Sequence, residues 1–130
     1  MIDRFLVALS NAVYFVPTKV REFRKKHPGV EVIIACATKG RKLAKDQNPQ
    51  YEYGWSFARR NTLILAETGF YCGDWEISLQ SISEAILVKI PSGAVLKIAT
   101  AEGVHYQFGL QSDPKWENQT ILPLKVINRS

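Results

Sequence analysis

Between Asp74 and Gln80 apolar and polar residues alternate without interruption. Trp75, Ile77 and Leu79 fall on one side of an extended chain, and Asp74, Glu76, Ser78 and Gln80 on the other. A period of two marks a strand with one buried and one solvated face. Similar segments lie on both sides, joined by turns too short for a crossover helix. Such a chain must fold as a meandering antiparallel sheet.

Upstream of Trp75, Val30, Val32, Ile34 and Cys36 alternate with Glu31, Ile33, Ala35 and Ala37, a β-branched run that predicts a strand buried on both sides, lying under the N-terminal helix. The polar stretch 39–50 reads as a long loop. Tyr51, Tyr53, Trp55 and Phe57 share one face of the next strand, Arg59-Arg60-Asn61 reads as a turn, and Thr62 to Ala66 form another strand. Thr68-Gly69 and Gly73-Asp74 bracket Phe70-Tyr71. Ser81 marks a phase slip, after which Ile86, Val88 and Ile90 face one side. Pro91-Ser92-Gly93 and Glu102-Gly103 are turn signals. Between and after them, Ala94, Leu96 and Ile98, then Val104, Tyr106, Phe108 and Leu110, supply two more apolar faces.

Helical periodicity is confined to the two ends. Ile2, Phe5, Leu6, Leu9, Ala12, Val13 and Val16 recur at three and four over residues 2–16, and Pro17 ends that run. Thr18 is placed to cap a second helix, Lys19 to Lys26, with Val20 and Phe23 on one side. Near the C-terminus, Asp113 and Pro114 start a helix in which Trp116 and Thr120 face inward, and Pro123 stops it. Leu124 to Ile127 can add a short strand or continue as an extended segment. The division expected is an N-terminal helical extension over 1–29, a β domain over 30–122 and a tail over 123–130.

The 130 residues suffice for one core without metal or disulfide staples. Cys36 and Cys72 fit no ligand spacing and read as buried reduced thiols, a disulfide being open only if their two strands lie close together. Residues 19–45 carry nine cations and two carboxylates, against eight and ten elsewhere. A local basic excess of this kind attracts phosphate-bearing partners. No apolar run reaches the ~20 residues of a membrane-spanning helix. The leading segment is not basic enough for a secretory signal, so the expected location is the cytoplasm, with peripheral membrane association as the variant.

Catalytic signatures do not emerge. His27 and His105 are far apart, there is no nucleophile elbow, no phosphate loop and no metal-ligand spacing, and Asp74 and Glu76 both sit on the outward phase of one strand. The chain therefore reads as a non-enzymatic protein without cofactor or metal.

Several of these segments together resemble the GRAM and bacterial branch of the pleckstrin-homology-like superfamily. The residues that carry the resemblance are Thr62-Leu63-Ile64-Leu65, Gly69-Phe70-Tyr71, the phrase Trp75-x-Ile77-x-Leu79-x-x-Ile82, then Val95-Leu96-Lys97-Ile98 and Gly103-x-x-Tyr106-x-Phe108-Gly109. The resemblance implies a mainly β (α+β) fold: an antiparallel barrel of about seven strands with a C-terminal capping helix. It implies an interaction module for a protein or peptide. In a lipid-binding variant the ligand residues would be Lys39, Arg41, Lys42 and Lys45 on the long loop, with Arg59 and Arg60 nearby. The N-terminal helix suits docking on the barrel, a homodimer contact, or an anionic membrane surface. The aromatic alternation of 51–57 beside Arg59 and Arg60 has the composition of a nucleic-acid stacking platform, but reads first as core. A small-molecule or nucleic-acid binding barrel is the remaining alternative.

Overall fold

The computed structural model describes residues 16–43 and 59–129. The helix expected over 2–16, the aromatic strand 51–57 and Lys45 lie outside the described residues.

The described chain runs α1 (Val16–Lys26), β1 (Val32–Leu43), β2 (Arg59–Ala66), β3 (Gly69–Cys72), β4 (Trp75–Ser78), a 3-10 turn (Leu79–Ser81), β5 (Ile82–Ile90), β6 (Gly93–Thr100), β7 (His105–Leu110), α2 (Lys115–Asn118) and β8 (Lys125–Asn128). All eight strands form one sheet in the order β4-β3-β2-β1-β7-β6-β5-β8. The fold is mainly β, as expected. Two details differ. The sheet has eight strands, because the tail joins it as β8, parallel to β5. It is also not a closed barrel: β4 and β8 are its edges. The meander pairs β1 with β7 and comes apart between β4 and β5, which are consecutive in the chain. The 3-10 turn, at the phase slip marked by Ser81, carries the chain across that gap.

The inner face holds the larger core. Leu63 and Leu65 of β2, Phe70 of β3, Ile77 of β4, Leu96 and Ile98 of β6, and Phe108 and Leu110 of β7 are buried there with Trp116. Two tryptophans tie distant strands across this interior. Trp75 of β4 meets Tyr106 and Phe108 of β7 edge-on, with ring centroids 5.6 and 6.2 Å apart. Trp116 stacks on Phe70 of β3 at 6.3 Å. Such contacts require a strongly rolled sheet. Gly40 makes room for them, because a Cβ there would lie 2.9 Å from the Phe108 ring and 3.2 Å from Trp75.

The outer face is partly covered by α1. Phe23 packs with Ile64 and Ala66, and with Val20, Val30, Val32, Ala35 and Tyr71 at the margin. The rings of Phe23, His27 and Tyr71 lie 4.6 to 4.9 Å apart. The expectation that Val20 and Phe23 share a packed side, under which the first strand lies, therefore holds. Pro17 and Thr18 lie within the helix, so Thr18 is not its cap. A single face for Val30, Val32, Ile34 and Cys36 does not hold. A register shift between Val32 and Ile34 marks a bulge. It sends Val30 and Val32 to the helix side and Ile34 and Cys36 to the core.

Three further expectations are corrected, and the side that one strand presents is settled. The stretch from Lys39 to Leu43 is strand rather than loop, paired with β2 on one side and β7 on the other. Arg59-Arg60-Asn61 is the start of β2, not a turn. In β5 Ile86, Val88 and Ile90 do share one side, and it is the outer one: the residues in the inner core are Ala85 and Leu87, with Ile82 packed at its margin. A second register shift, between Ile82 and Glu84, sets that phase. The C-terminal helix is one turn long. Asp113 still acts at its start, its carboxylate accepting the Lys115 N–H at 3.0 Å, and Trp116 is buried, but Thr120 is exposed.

Cys36 and Cys72 are both free. Cys36 is opposite Leu63 in β2, whose other neighbour is β3, the strand of Cys72. Two strand spacings, roughly 9–10 Å, separate the strands that carry them, beyond disulfide reach. Burial pushes both thiols up to about 12, with Asp113 and Cys72 adding to the effect at Cys36.

Candidate interaction site at an open sheet edge

The hairpin β3–β4 turns through Gly73 and Asp74, and Gly73 adopts φ 57°. A two-residue turn with glycine at its first central position matches the twist of the strands it joins. It also sets the hydrogen-bond phase. Cys72 and Trp75 flank the turn and form the closing pair, so in an antiparallel ladder Phe70–Ile77 is the next bonded pair, and Tyr71–Glu76 and Gly69–Ser78 are the non-bonded ones. Trp75 and Ile77 thus direct their peptide groups toward β3. Leu79 continues the phase, its N–H donating to Thr68 O at 3.2 Å. Glu76 and Ser78 direct theirs away from the sheet. The Ser78 carbonyl accepts a hydrogen bond from Ser81 Oγ at 2.8 Å. The Glu76 N–H, the Glu76 C=O and the Ser78 N–H have no partner strand among the described residues and form the outer edge.

That edge borders a groove of about 950 Å³ between β4 with the 3-10 turn on one side and the β6–β7 turn on the other. Ile77, Leu79, Val104 and Tyr106 give it an apolar floor, and Glu67, Glu76 and Glu102 stand around it. Among its described lining residues there is no lysine, arginine or histidine. All three glutamates are exposed, and Glu67 also accepts the Glu31 N–H at 3.2 Å. The far wall is the β6–β7 turn. Thr100 Oγ1 donates to Val104 O at 2.9 Å and Gly103 N to Thr100 O at 2.9 Å, while Ala101 N donates to Ser81 O at 2.8 Å, tying this turn to the 3-10 turn. Both walls are therefore held by hydrogen bonds.

The basic residues expected to form a ligand loop are placed differently. Lys39 and Arg60 face each other across β1 and β2, half-buried and exposed respectively. Arg41 is buried on the outer face, its Nε and Nη2 donating to Gln107 Oε1. Burial lowers the Arg41 guanidinium from its ordinary value. Lys42 turns to the opposite face and lies 5.7 Å above the Tyr106 ring. The β1 backbone paired through Gly40 includes Arg59. The strand alternation thus divides this basic segment between two faces, and Arg41 is committed to a side-chain partner.

A smaller cavity of about 130 Å³ lies on the outer face between Glu84, Ile86, Lys97, His105 and Gln107. His105, on the polar phase of its strand in the sequence, is half-buried in its wall. Gln107 Nε2 is buried there without a hydrogen-bond partner. Among the described residues, no group of three or more His, Cys, Asp or Glu is arranged to hold a metal ion. No helix among them is long and apolar enough to cross a membrane.

The residues of the groove escaped the sequence reading. Asp74 and Glu76 were visible as an outward carboxylate pair, but Glu67 and Glu102 lie in two other turns. Only the rolled sheet, which brings the β2–β3 turn, β4 and the β6–β7 turn together, places Glu67, Glu76 and Glu102 around one groove. No family model matches the chain, and no curated protein matches it either.

Proposed function

We propose that this chain is a non-enzymatic interaction module of pleckstrin-homology-like type that binds a protein or peptide partner in the groove beside β4. The observation that carries the reading is the groove itself: an apolar floor next to a strand edge that no described segment pairs with. A free strand edge is a template for pairing with another chain. The kinship is supported by the cyclic arrangement of the first seven strands, with β1 beside β7 and a tryptophan-bearing turn following the last.

Selection from a random peptide library displayed on phage tests the reading. Enriched peptides should lose binding to Gln80→Trp, a bulky substitution at an exposed position of the groove lining. Failure to enrich, or peptides indifferent to that substitution, would remove the groove as the binding site.

A second reading is favoured by a different observation. Lys19, Arg21, Arg24, Lys25 and Lys26 are all exposed on α1, with Glu22 paired to Lys19 at 3.8 Å. This cationic surface suits anionic lipid headgroups. Sedimentation with phosphatidylserine vesicles should then weaken with salt and on Arg24→Glu with Lys25→Glu. Equal binding to neutral vesicles would dismiss it.

A further inference from the structure

We infer that the partner of the β4 groove is an extended, basic polypeptide segment that adds to β4 as a further strand. The inference rests on the interaction-module reading and names the class of ligand for that same site.

Three observations converge on it. The Glu76 N–H and C=O and the Ser78 N–H point out of the ladder, at the spacing of alternate residues along one strand. An extended chain laid alongside meets them in register, as a helix cannot. Glu67, Glu76 and Glu102 form an acidic rim on a chain whose formal net charge is +5, so the groove is locally opposite in sign to the protein as a whole. Lysine or arginine on the incoming segment would offset that rim, while an acidic segment would be repelled. Ile77, Leu79, Val104 and Tyr106 then lie under the alternate side chains of the added strand. Alternation of cationic and apolar residues in the partner satisfies both surfaces at once. The carboxylate of Glu76 at the edge also discourages β4 from pairing with β4 of a second copy.

Ser78 supplies a specific test, since its φ of −69° and ψ of 146° are those of proline. Ser78→Pro removes one outward N–H and leaves the backbone conformation in place. Three eight-residue fluorescein-labelled peptides serve as probes: alternating Lys-Val, alternating Thr-Val and alternating Glu-Val. Binding is followed by anisotropy at 50 mM and 300 mM salt on the full chain, with circular dichroism of each variant.

The Lys-Val peptide should bind tightest and weaken with salt. It should lose about fivefold to tenfold in affinity to Ser78→Pro and at least about tenfold at low salt to Glu76→Lys with Glu102→Lys. The amide signals of Glu76 and Ser78 should shift on titration. If the Thr-Val or Glu-Val peptide binds as tightly and is equally sensitive to Ser78→Pro, the basic class is overturned while the groove stands. Lys-Val binding that ignores Ser78→Pro but falls with the charge reversals overturns strand addition. If the Lys-Val peptide does not bind at either salt, this inference is overturned, and the phage selection separately decides whether the groove binds peptides at all.

Discussion

The two ends of the sheet are finished in different ways. At the β5 end the chain covers its own edge. After α2 the tail returns as β8 and pairs Lys125–Asn128 with Ile86–Lys89, and Arg129 N adds a hydrogen bond to Lys89 O at 2.8 Å. The segment leading into β8 is anchored by Trp116, 1% exposed against Phe70, and by a Lys89–Glu117 ion pair at 3.0 Å. At the β4 end no described segment covers the edge. Trp75 is only half-buried and holds β4 down through Tyr106 and Phe108. Both terminal strands, β4 and β8, thus have a neighbour on one side only among the described strands. Only β4 borders the acidic groove, which is why the binding proposal is placed there and not at β8.

The largest blow to this asymmetry should come from Trp116→Ala. It empties the core and releases the segment that positions β8, with an expected loss of about 3–5 kcal/mol in unfolding free energy, read as a lower urea midpoint. Amide exchange should accelerate along β5. If exchange in β5 stays at wild-type rates, β8 is not anchored by Trp116.

A pH titration probes the half of the sheet that carries β4. Cys36 and Cys72 sit on β1 and β3 with thiols at about 12, against an unfolded value near 8.5. Between about pH 9 and 12 the unfolded chain has released protons that the folded chain keeps. Stability falls as pH rises through that window, by about 1.4 kcal/mol per pH unit for each thiol, and the thiols add no slope below about pH 8. Urea midpoints at pH 8 and 10.5 should differ more for the wild type than for Cys36→Ala with Cys72→Ala. Equal slopes would mean that burial does not hold the thiols protonated.

Gly40→Val separates the role of Trp75 from that of Trp116. Its side chain must displace the Phe108 ring or Trp75, at about 1–3 kcal/mol. Trp75 fluorescence should shift to the red as it is unseated, and peptide binding at the groove should weaken. Val126→Lys should do the least. Val126 is 38% exposed on β8, and a surface change there is expected within about 0.5 kcal/mol. A larger loss would show that the β8 edge is more deeply packed than its exposure indicates.

Much of the sheet was legible because alternation is a local signal. Trp75 to Leu79, Ala94 to Ile98 and Val104 to Leu110 fell on the expected faces, since nothing interrupts their period of two. The segments misread or left without a side are those where an irregularity or a tertiary pairing intervenes. The bulge near Ile33 rotates half of β1, and the register shift after Ile82 sets the phase of β5. Neither leaves a mark in hydrophobicity, because Ile33, Ile34 and Ile82 are apolar on either side of the break. The stretch from Lys39 to Lys42 looked like a loop because it is rich in charge. It is strand because β2 and β7 both offer it hydrogen bonds, because Gly40 fits under Phe108, and because Gln107 accepts from the buried Arg41.

The sequence by itself determined that this chain builds antiparallel β-structure with a greasy inner face containing Ile77, Phe108 and Trp116, because side-chain alternation and turn chemistry act between near neighbours. Only the tertiary structure decided where the meander opens, which edge the tail covers and which carboxylates come together. Those outcomes depend on pairings between residues distant along the chain, such as Gly40 with Phe108 and Leu87 with Val126. Their free energy comes from contacts that exist only after the sheet has rolled.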